Sequence, residues 1–309
     1  MGLRRTEERH PLSAGLHALA GAEVLARVHQ VQTAAMAAVQ PAIPMIVDAA
    51  EAGARSLLAG GRMGYAGAGS SGLMALADCL ELPGTFGVAP DRVPMMFAGG
   101  VAALAHMQGG VEDDPALALG DLDRSGLAAG DTVLCLAASG GTPYTLTIAA
   151  EARKRGVTVV GMANVADCPL LQAADIAILL DTGPEIIAGS TRMGAGSAQK
   201  LALNMLSVLV GIRLGHVHDG FMVNLTADNQ KLLDRAARIV SALSGATPAE
   251  ANDALSRSAG RVKPAVLIAR GLSPEEADKA LTQTGGHLAP ILSASDTNQT
   301  KTQPSGRIP

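Results

Sequence analysis

Two loops rich in glycine and hydroxyl side chains carry residue types that could bind an anion. The first reads Gly-Ala-Gly-Ser-Ser-Gly and contains Ser70 and Ser71; the second reads Ala-Ala-Ser-Gly-Gly-Thr-Pro and contains Ser139 and Thr142. A loop that opens a helix presents unpaired backbone N–H groups and the positive end of the helix dipole, which suits a phosphate. Hydroxyl groups donate further hydrogen bonds. The loops therefore predict one anionic ligand in an α/β domain, with two tight ligand-free turns as the alternative.

Neither loop matches a nucleotide-binding motif well. The first loop is not followed by the Gly-Lys-Ser/Thr of a P-loop. It also lacks the acidic residue that follows the dinucleotide fingerprint at the end of a second strand, because residues 82–87 read as a loop. No cofactor is predicted.

Three carboxylates could act in acid–base chemistry. Glu81 lies between apolar residues, Glu112 follows Gly-Gly-Val, and Glu185 follows Gly-Pro at the exit of a strand-like run. A carboxyl group with apolar neighbours can have a raised pKa and serve as a general acid. For each residue the alternative is an ordinary surface glutamate.

The segment after Glu185 offers further ligand-binding groups. Ser190 could cap the next helix, and Arg192 is the cation placed near the ligand expected at the two loops. A metal site is not predicted, since His216 and His218 point to different sides of a helix and the chain contains neither HExxH nor CxxC.

Composition limits the class of protein. The chain has 309 residues, of which 48% are hydrophobic, but no Trp, 2 Tyr and 3 Phe, so the core must be aliphatic. A net charge of −4 without a basic cluster and so few aromatic residues argue against nucleic-acid binding. Three cysteines without paired spacing indicate reduced thiols. No signal peptide is visible, and the apolar segment 201–214 is too short and polar to span a bilayer. A cytoplasmic protein is predicted, with no membrane partner.

The order of strand-like and helix-like runs predicts an α/β fold. Parallel strands covered by helices on both faces give this alternation. Strand-like runs lie at 63–68, 133–137, 157–162 and 176–180, and helical stretches lie near 71–80, 100–107, 142–155 and 168–174. Longer helices are predicted at 196–217 and 227–242. Thr247-Pro248 and Ser273-Pro274, each followed by an acid, match helix starts of a small C-terminal helical appendage.

Four regions are predicted along the chain. Residues 1–60 form an N-terminal region, in which an extended polar arm at 1–12 precedes helices at 15–60. Residues 61–243 form the ligand-binding core, 244–294 a small helical domain, and 295–309 a disordered tail.

Taken in order, ten segments of the chain resemble one family, the N-acetylmuramic acid 6-phosphate etherases. These proteins have a sugar isomerase (SIS) domain and are related to the glucokinase regulatory protein. The segments are Thr6–Arg9, Gly67–Gly72, Glu81–Val88, Ala98–Gly100, Glu112–Asp114, Ala137–Tyr144, Ala173–Ile178, Gly183–Glu185, Gly189–Leu201 and Gly271–Ala277.

The resemblance implies a carbon–oxygen lyase of amino-sugar metabolism and peptidoglycan recycling. It would cleave the D-lactyl ether of N-acetylmuramic acid 6-phosphate by elimination and hydration, without metal or cofactor. By motif, Glu112 matches the base and Glu81 the acid that assists lactate departure, although this assignment could be reversed. The phosphate would lie on Ser70, Ser71, Ser139 and Thr142, with Glu185, Ser190 and Arg192 as further substrate-binding residues. The resemblance and the apolar N-terminal helices also suggest a homodimer.

Four positions depart from the family pattern. Leu73, Gly141 and Gly194 stand where the family typically has a cation, and Asn224 stands where it has Asp. Each lost charge-assisted hydrogen bond to a phosphate costs roughly 1.5–3 kcal/mol. Either backbone donors and a partner subunit compensate, or the ligand differs. The alternatives are a non-catalytic sugar-phosphate-binding regulator, an aldose–ketose isomerase, or another SIS enzyme acting on a related sugar.

Overall fold

A five-stranded parallel sheet forms the centre of the computed structural model, which describes residues 5–294. The strands run in the order β2-β1-β3-β4-β5. Their bounds are β1 Met63–Gly67, β2 Met95–Phe97, β3 Thr132–Leu136, β4 Thr158–Ala163 and β5 Ile176–Leu179. Every residue of β1 and β3 is buried, as expected for central strands covered on both faces.

Among residues 5–294, eight helices surround this sheet in the order of the chain. They are α1 Gly21–Ala37, α2 Ile43–Leu58, α3 Gly69–Phe86, α4 Gly100–Ala105, α5 Pro115–Ser125, α6 Pro143–Lys154, α7 Pro169–Ala173 and α8 Gly194–Arg213. Aliphatic side chains of the strands pack with those of α5, α6 and α7 in one core, together with the buried Cys135 and Cys168. The predicted SIS-type α/β fold is confirmed.

Two compact units divide the chain. The first unit comprises the residues up to Leu80 together with Ala89–Val210, and the second comprises Glu81–Val88 and the residues from Gly211 onward. The boundaries of these units differ from the domain boundaries predicted from the sequence at residues 60, 243 and 294. The predicted domains stay a prediction. The tail predicted at 295–309 lies outside the described residues.

The second unit contains a short hairpin and the helices α9 to α12. They are β6 Val217–His218, β7 Phe221–Met222, α9 Gln230–Ser244, α10 Pro248–Arg257, α11 Val262–Ala269 and α12 Pro274–Gln283. Thr247 and Ser273 each form a capping box with the glutamate three residues later. Both predicted helix starts are therefore confirmed.

The loop predicted at residues 82–87 is wrong, because α3 continues to Phe86. Pro83 lies inside this helix, although proline removes one backbone hydrogen bond there. Leu82 is 1% exposed and Phe86 is 7% exposed, and their burial compensates for the lost bond.

The arm predicted to be extended instead forms short 3₁₀ turns at Arg5–Glu7 and Pro11–Ser13. Thr6 is fully buried, and its carbonyl accepts a hydrogen bond of 2.9 Å from Gly189 N. Arg5 forms an ion pair with Asp181. These contacts hold the arm against the first unit.

Helix α8 contains most of the apolar segment 201–214, which the sequence predicts not to span a membrane. By length and composition alone, this helix and the stretch Gly21–Leu58 could each cross a membrane. However, 56% of the apolar window in α8 is buried inside the protein, as in the core helix of a globular domain.

Candidate active site

A cavity of about 360 Å³ lies in the first unit, where the two glycine-rich loops meet. Strands β1 and β3 are adjacent and parallel, so the loops that leave their carboxyl ends lie at the same edge of the sheet. The cavity is lined by Glu7, Ala68, Gly69, Ser70, Ser71, Met107, Glu112, Ala138, Ser139, Thr142, Gly189 and Thr191. All four hydroxyl residues predicted to hold the phosphate are therefore together in one cavity.

The serines of the two loops differ in their hydrogen bonds. Ser71 is buried, and its Oγ accepts a bond of 3.1 Å from Ala138 N, which ties the first loop to the second. Ser139 Oγ accepts a bond of 3.3 Å from Gly141 N. Thr142 is the N-cap of α6 and lines the cavity, but its side chain makes no capping hydrogen bond. Its hydroxyl can therefore bond to a ligand.

Glu112 lies on a 3₁₀ turn, Gly109–Asp113, and its carboxylate stands over the N-terminal end of α3. A Cβ atom built on Gly69 would lie 2.6 Å from Glu112 Oε1, and Gly69 has a φ of +52°. This left-handed backbone favours glycine, and a larger residue here would have to displace the Glu112 carboxylate. Burial raises the pKa of Glu112, and the neighbouring Asp113 carboxylate raises it further. A carboxyl group with a raised pKa holds a proton more readily than an ordinary surface carboxylate, which suits it to proton transfer.

Glu185 lies away from this cavity lining, at the start of α8. It is 2% exposed, and its two oxygens accept hydrogen bonds from Gly194 N at 2.9 Å and Ala195 N at 2.8 Å. The carboxylate thus satisfies the free N–H groups of a helix start. Its role as a substrate-binding residue stays a prediction.

Ser190 and Arg192 flank a residue that does line the cavity, Thr191. Ser190 is half-buried and Arg192 is exposed, and neither belongs to the cavity lining. Contact of their side chains with a ligand stays a prediction.

Glu81 is exposed and belongs to the second unit, whereas Glu112 belongs to the first. Glu81 lies within α3 and does not line the cavity. Its pairing with Glu112 in one reaction stays a prediction.

Sequence reasoning missed Glu7 and Met107 as site residues. Both line the cavity, and Glu7 is brought there by the docked N-terminal arm. Its only signal was the resemblance of the opening segment Thr6–Arg9 to a family. The sequence could not predict that Glu7 lies at the site, because the contact between Thr6 and Gly189 joins distant parts of the chain.

The described lining residues include two carboxylates, Glu7 and Glu112, but no lysine, arginine or histidine. An anion in this cavity would be held by hydroxyl groups and by backbone N–H groups at the starts of α3 and α6. Within residues 5–294, no group of three His, Cys, Asp or Glu side chains is arranged to hold a metal ion.

The chain is similar to proteins of known family and structure. Residues 23–164 match the SIS domain family, so this part of the chain is a SIS domain. A phosphoheptose isomerase from Francisella tularensis superposes with a TM-score of 0.48 and 19% identity, over 62% of this chain and 97% of that one.

Closer relatives define the family. An N-acetylmuramic acid 6-phosphate etherase from Deinococcus radiodurans is 43% identical over 267 residues, which cover 86% of this chain and 88% of the relative. A protein of the same name from Streptomyces avermitilis is 41% identical, covering 86% of each chain. The chain belongs to the N-acetylmuramic acid 6-phosphate etherase family.

Proposed function

We propose that this protein is a carbon–oxygen lyase that converts N-acetylmuramic acid 6-phosphate and water into N-acetylglucosamine 6-phosphate and D-lactate. One observation carries the proposal besides family membership. The cavity combines four hydroxyl residues at two helix starts with Glu112, a half-buried carboxyl of raised pKa. The first group suits a sugar phosphate, and the second suits proton transfer beside it.

The reaction proceeds through the open-chain sugar, whose C2 proton is acidic because it is next to the aldehyde. Glu112 removes this proton, and Glu81 donates a proton to the C3 ether oxygen as the C3–O bond breaks. Lactate leaves, and water adds across the C2–C3 double bond to give the hydroxyl at C3. Glu112 returns its proton to C2, and Glu81 recovers a proton from the water whose oxygen bonds to C3, so both residues end the cycle as they began it and the reaction needs no cofactor.

The absence of cationic side chains from the described cavity lining favours a second candidate function. A cavity without a lysine, arginine or histidine in its described lining is a weak site for a dianion, so a related sugar with less charge would suit it better. In that case the protein is a SIS enzyme that acts on a related sugar and uses the same loops.

We also propose a cytoplasmic homodimer. Ile43, Met45 and Val47 of α2 are at least a third exposed, and Leu80, next to Glu81, is 67% exposed. Exposed apolar groups of this kind mark surfaces that a second copy can cover. A dimer would also bring a second Glu81 and a second cavity into the assembly.

Purified protein is expected to release D-lactate from N-acetylmuramic acid 6-phosphate in the presence of EDTA. The measurement is a coupled D-lactate assay, with unphosphorylated N-acetylmuramic acid as the comparison substrate. A preference for the phosphorylated sugar supports the lyase and its phosphate site. Lactate release from the unphosphorylated sugar alone supports the second candidate, and its absence from both rejects the lyase.

The pH dependence of kcat/KM is expected to show an acid limb set by Glu112. A base acts in its ionised form, so activity is present above its pKa and is lost as the pH falls through it. Because the pKa of Glu112 is raised, this limb should lie above the ordinary carboxylate value of about 4.3. Asp113→Asn removes the like charge and should move the limb to lower pH. Activity that is instead lost as the pH rises through this region would make Glu112 the acid.

A further inference from the structure

Glu7 lines the cavity and is exposed, and its carboxylate has no partner among residues 5–294. Thr6, the residue before it, is fully buried and bonded to Gly189 N, so the backbone at Glu7 is held in place. A Cβ atom on Gly189 would lie 2.7 Å from Glu7 Oε2. Among residues 5–294, neither a hydrogen bond nor an ion pair engages this carboxylate.

The charge of Glu7 decides what it can bind. A carboxylate is only an acceptor when ionised, and it repels a phosphate. The phosphate-binding groups of the cavity are the hydroxyl residues and helix starts of the two loops. A sugar held there by its phosphate offers hydroxyl groups and, in an N-acetylated sugar, an amide N–H. These donors are the groups that an unpartnered carboxylate in the same wall can accept from.

We propose that Glu7 is a substrate-binding residue that accepts a hydrogen bond from the sugar and selects ligands with a donor at that position. This inference rests on the proposed function, because it requires a sugar phosphate in the cavity. The N-terminal arm is then part of the site: Arg5 and Thr6 anchor it, and Glu7 contacts the ligand.

The test is calorimetric binding of two probes, N-acetylglucosamine 6-phosphate and inorganic phosphate, to the full chain and four variants. Glu7→Ala should weaken sugar-phosphate binding by about 10- to 100-fold, the range for a lost hydrogen bond to a charged group, and Glu7→Gln by less. Neither change should weaken binding of inorganic phosphate. Ser70→Ala, at the phosphate end, should weaken binding of both probes. Glu8→Ala, an exposed neighbour outside the lining, should change neither.

Equal weakening of both probes by Glu7→Ala would show that Glu7 only supports the arm, and unchanged binding would show that it does not touch the sugar. Either result overturns the inference. The proposed function fails separately: a protein that shows the Glu7 difference in binding but releases no lactate is a sugar-phosphate binder and not a lyase. Conversely, lactate release with an unaffected Glu7→Ala variant rejects only the role of Glu7.

Discussion

Replacing Glu112 by glutamine is expected to lower kcat for lactate release by about 10²–10⁴-fold, the usual contribution of a general acid–base group. Glutamine keeps the size of the side chain over the start of α3 but cannot accept a proton. If Glu112 removes the C2 proton, this variant should also lose exchange of that proton with solvent deuterium. The measurements are lactate release and deuterium incorporation at C2 by NMR.

Glu81→Gln should separate the two proton transfers. If Glu81 serves the leaving group, its loss should block lactate release by a comparable factor while C2 exchange continues, because the carbanion forms and is reprotonated. Glu275→Gln, an exposed carboxylate in the first turn of α12, serves as the matched control and should leave both rates unchanged.

The opposite pattern would reverse the roles of the two glutamates. Continued exchange in the Glu112 variant together with its loss in the Glu81 variant would make Glu81 the base. Full activity in both variants would remove the two-carboxylate mechanism.

The loops were predictable from the sequence because each signal is local. A buried apolar strand, a glycine-rich turn and an apolar helix follow one another within a short segment, and parallel strands place such turns at one edge of the sheet. Ser70, Ser71, Ser139 and Thr142 therefore come together as expected. Strand β2 was missed because its three residues are too few to show a pattern.

Contacts between distant segments were beyond prediction. The sequence of the N-terminal arm is polar, and nothing in it shows that Thr6 is buried against Gly189. Likewise Glu185 and Arg192 could be placed near a loop, but not oriented. Glu185 is buried, whereas Arg192 is exposed, and only the packing of α8 decides this difference.

Glu185→Ala is expected to lower the free energy of unfolding by about 3 kcal/mol, because it leaves two buried N–H groups at the start of α8 without acceptors. Asp114→Ala is the matched control. Asp114 also accepts two backbone bonds, from Ala116 N and Leu117 N at the start of α5, but it is exposed, so its loss should cost only about 1 kcal/mol. Urea unfolding of both variants measures the difference.

Adding Glu185→Gln to this pair of variants decides between two roles for Glu185. A capping role predicts that Glu185→Gln, which keeps one acceptor oxygen, is more stable than Glu185→Ala, and that its KM changes little while it stays folded. A substrate-binding role, which the family resemblance implies, predicts a raised KM in Glu185→Gln without a matching loss of stability. Equal unfolding free energies for Glu185→Ala and Asp114→Ala would contradict the capping role. Burial makes the difference, because water can replace the acceptor at an exposed helix start and cannot reach the start of α8 at Glu185.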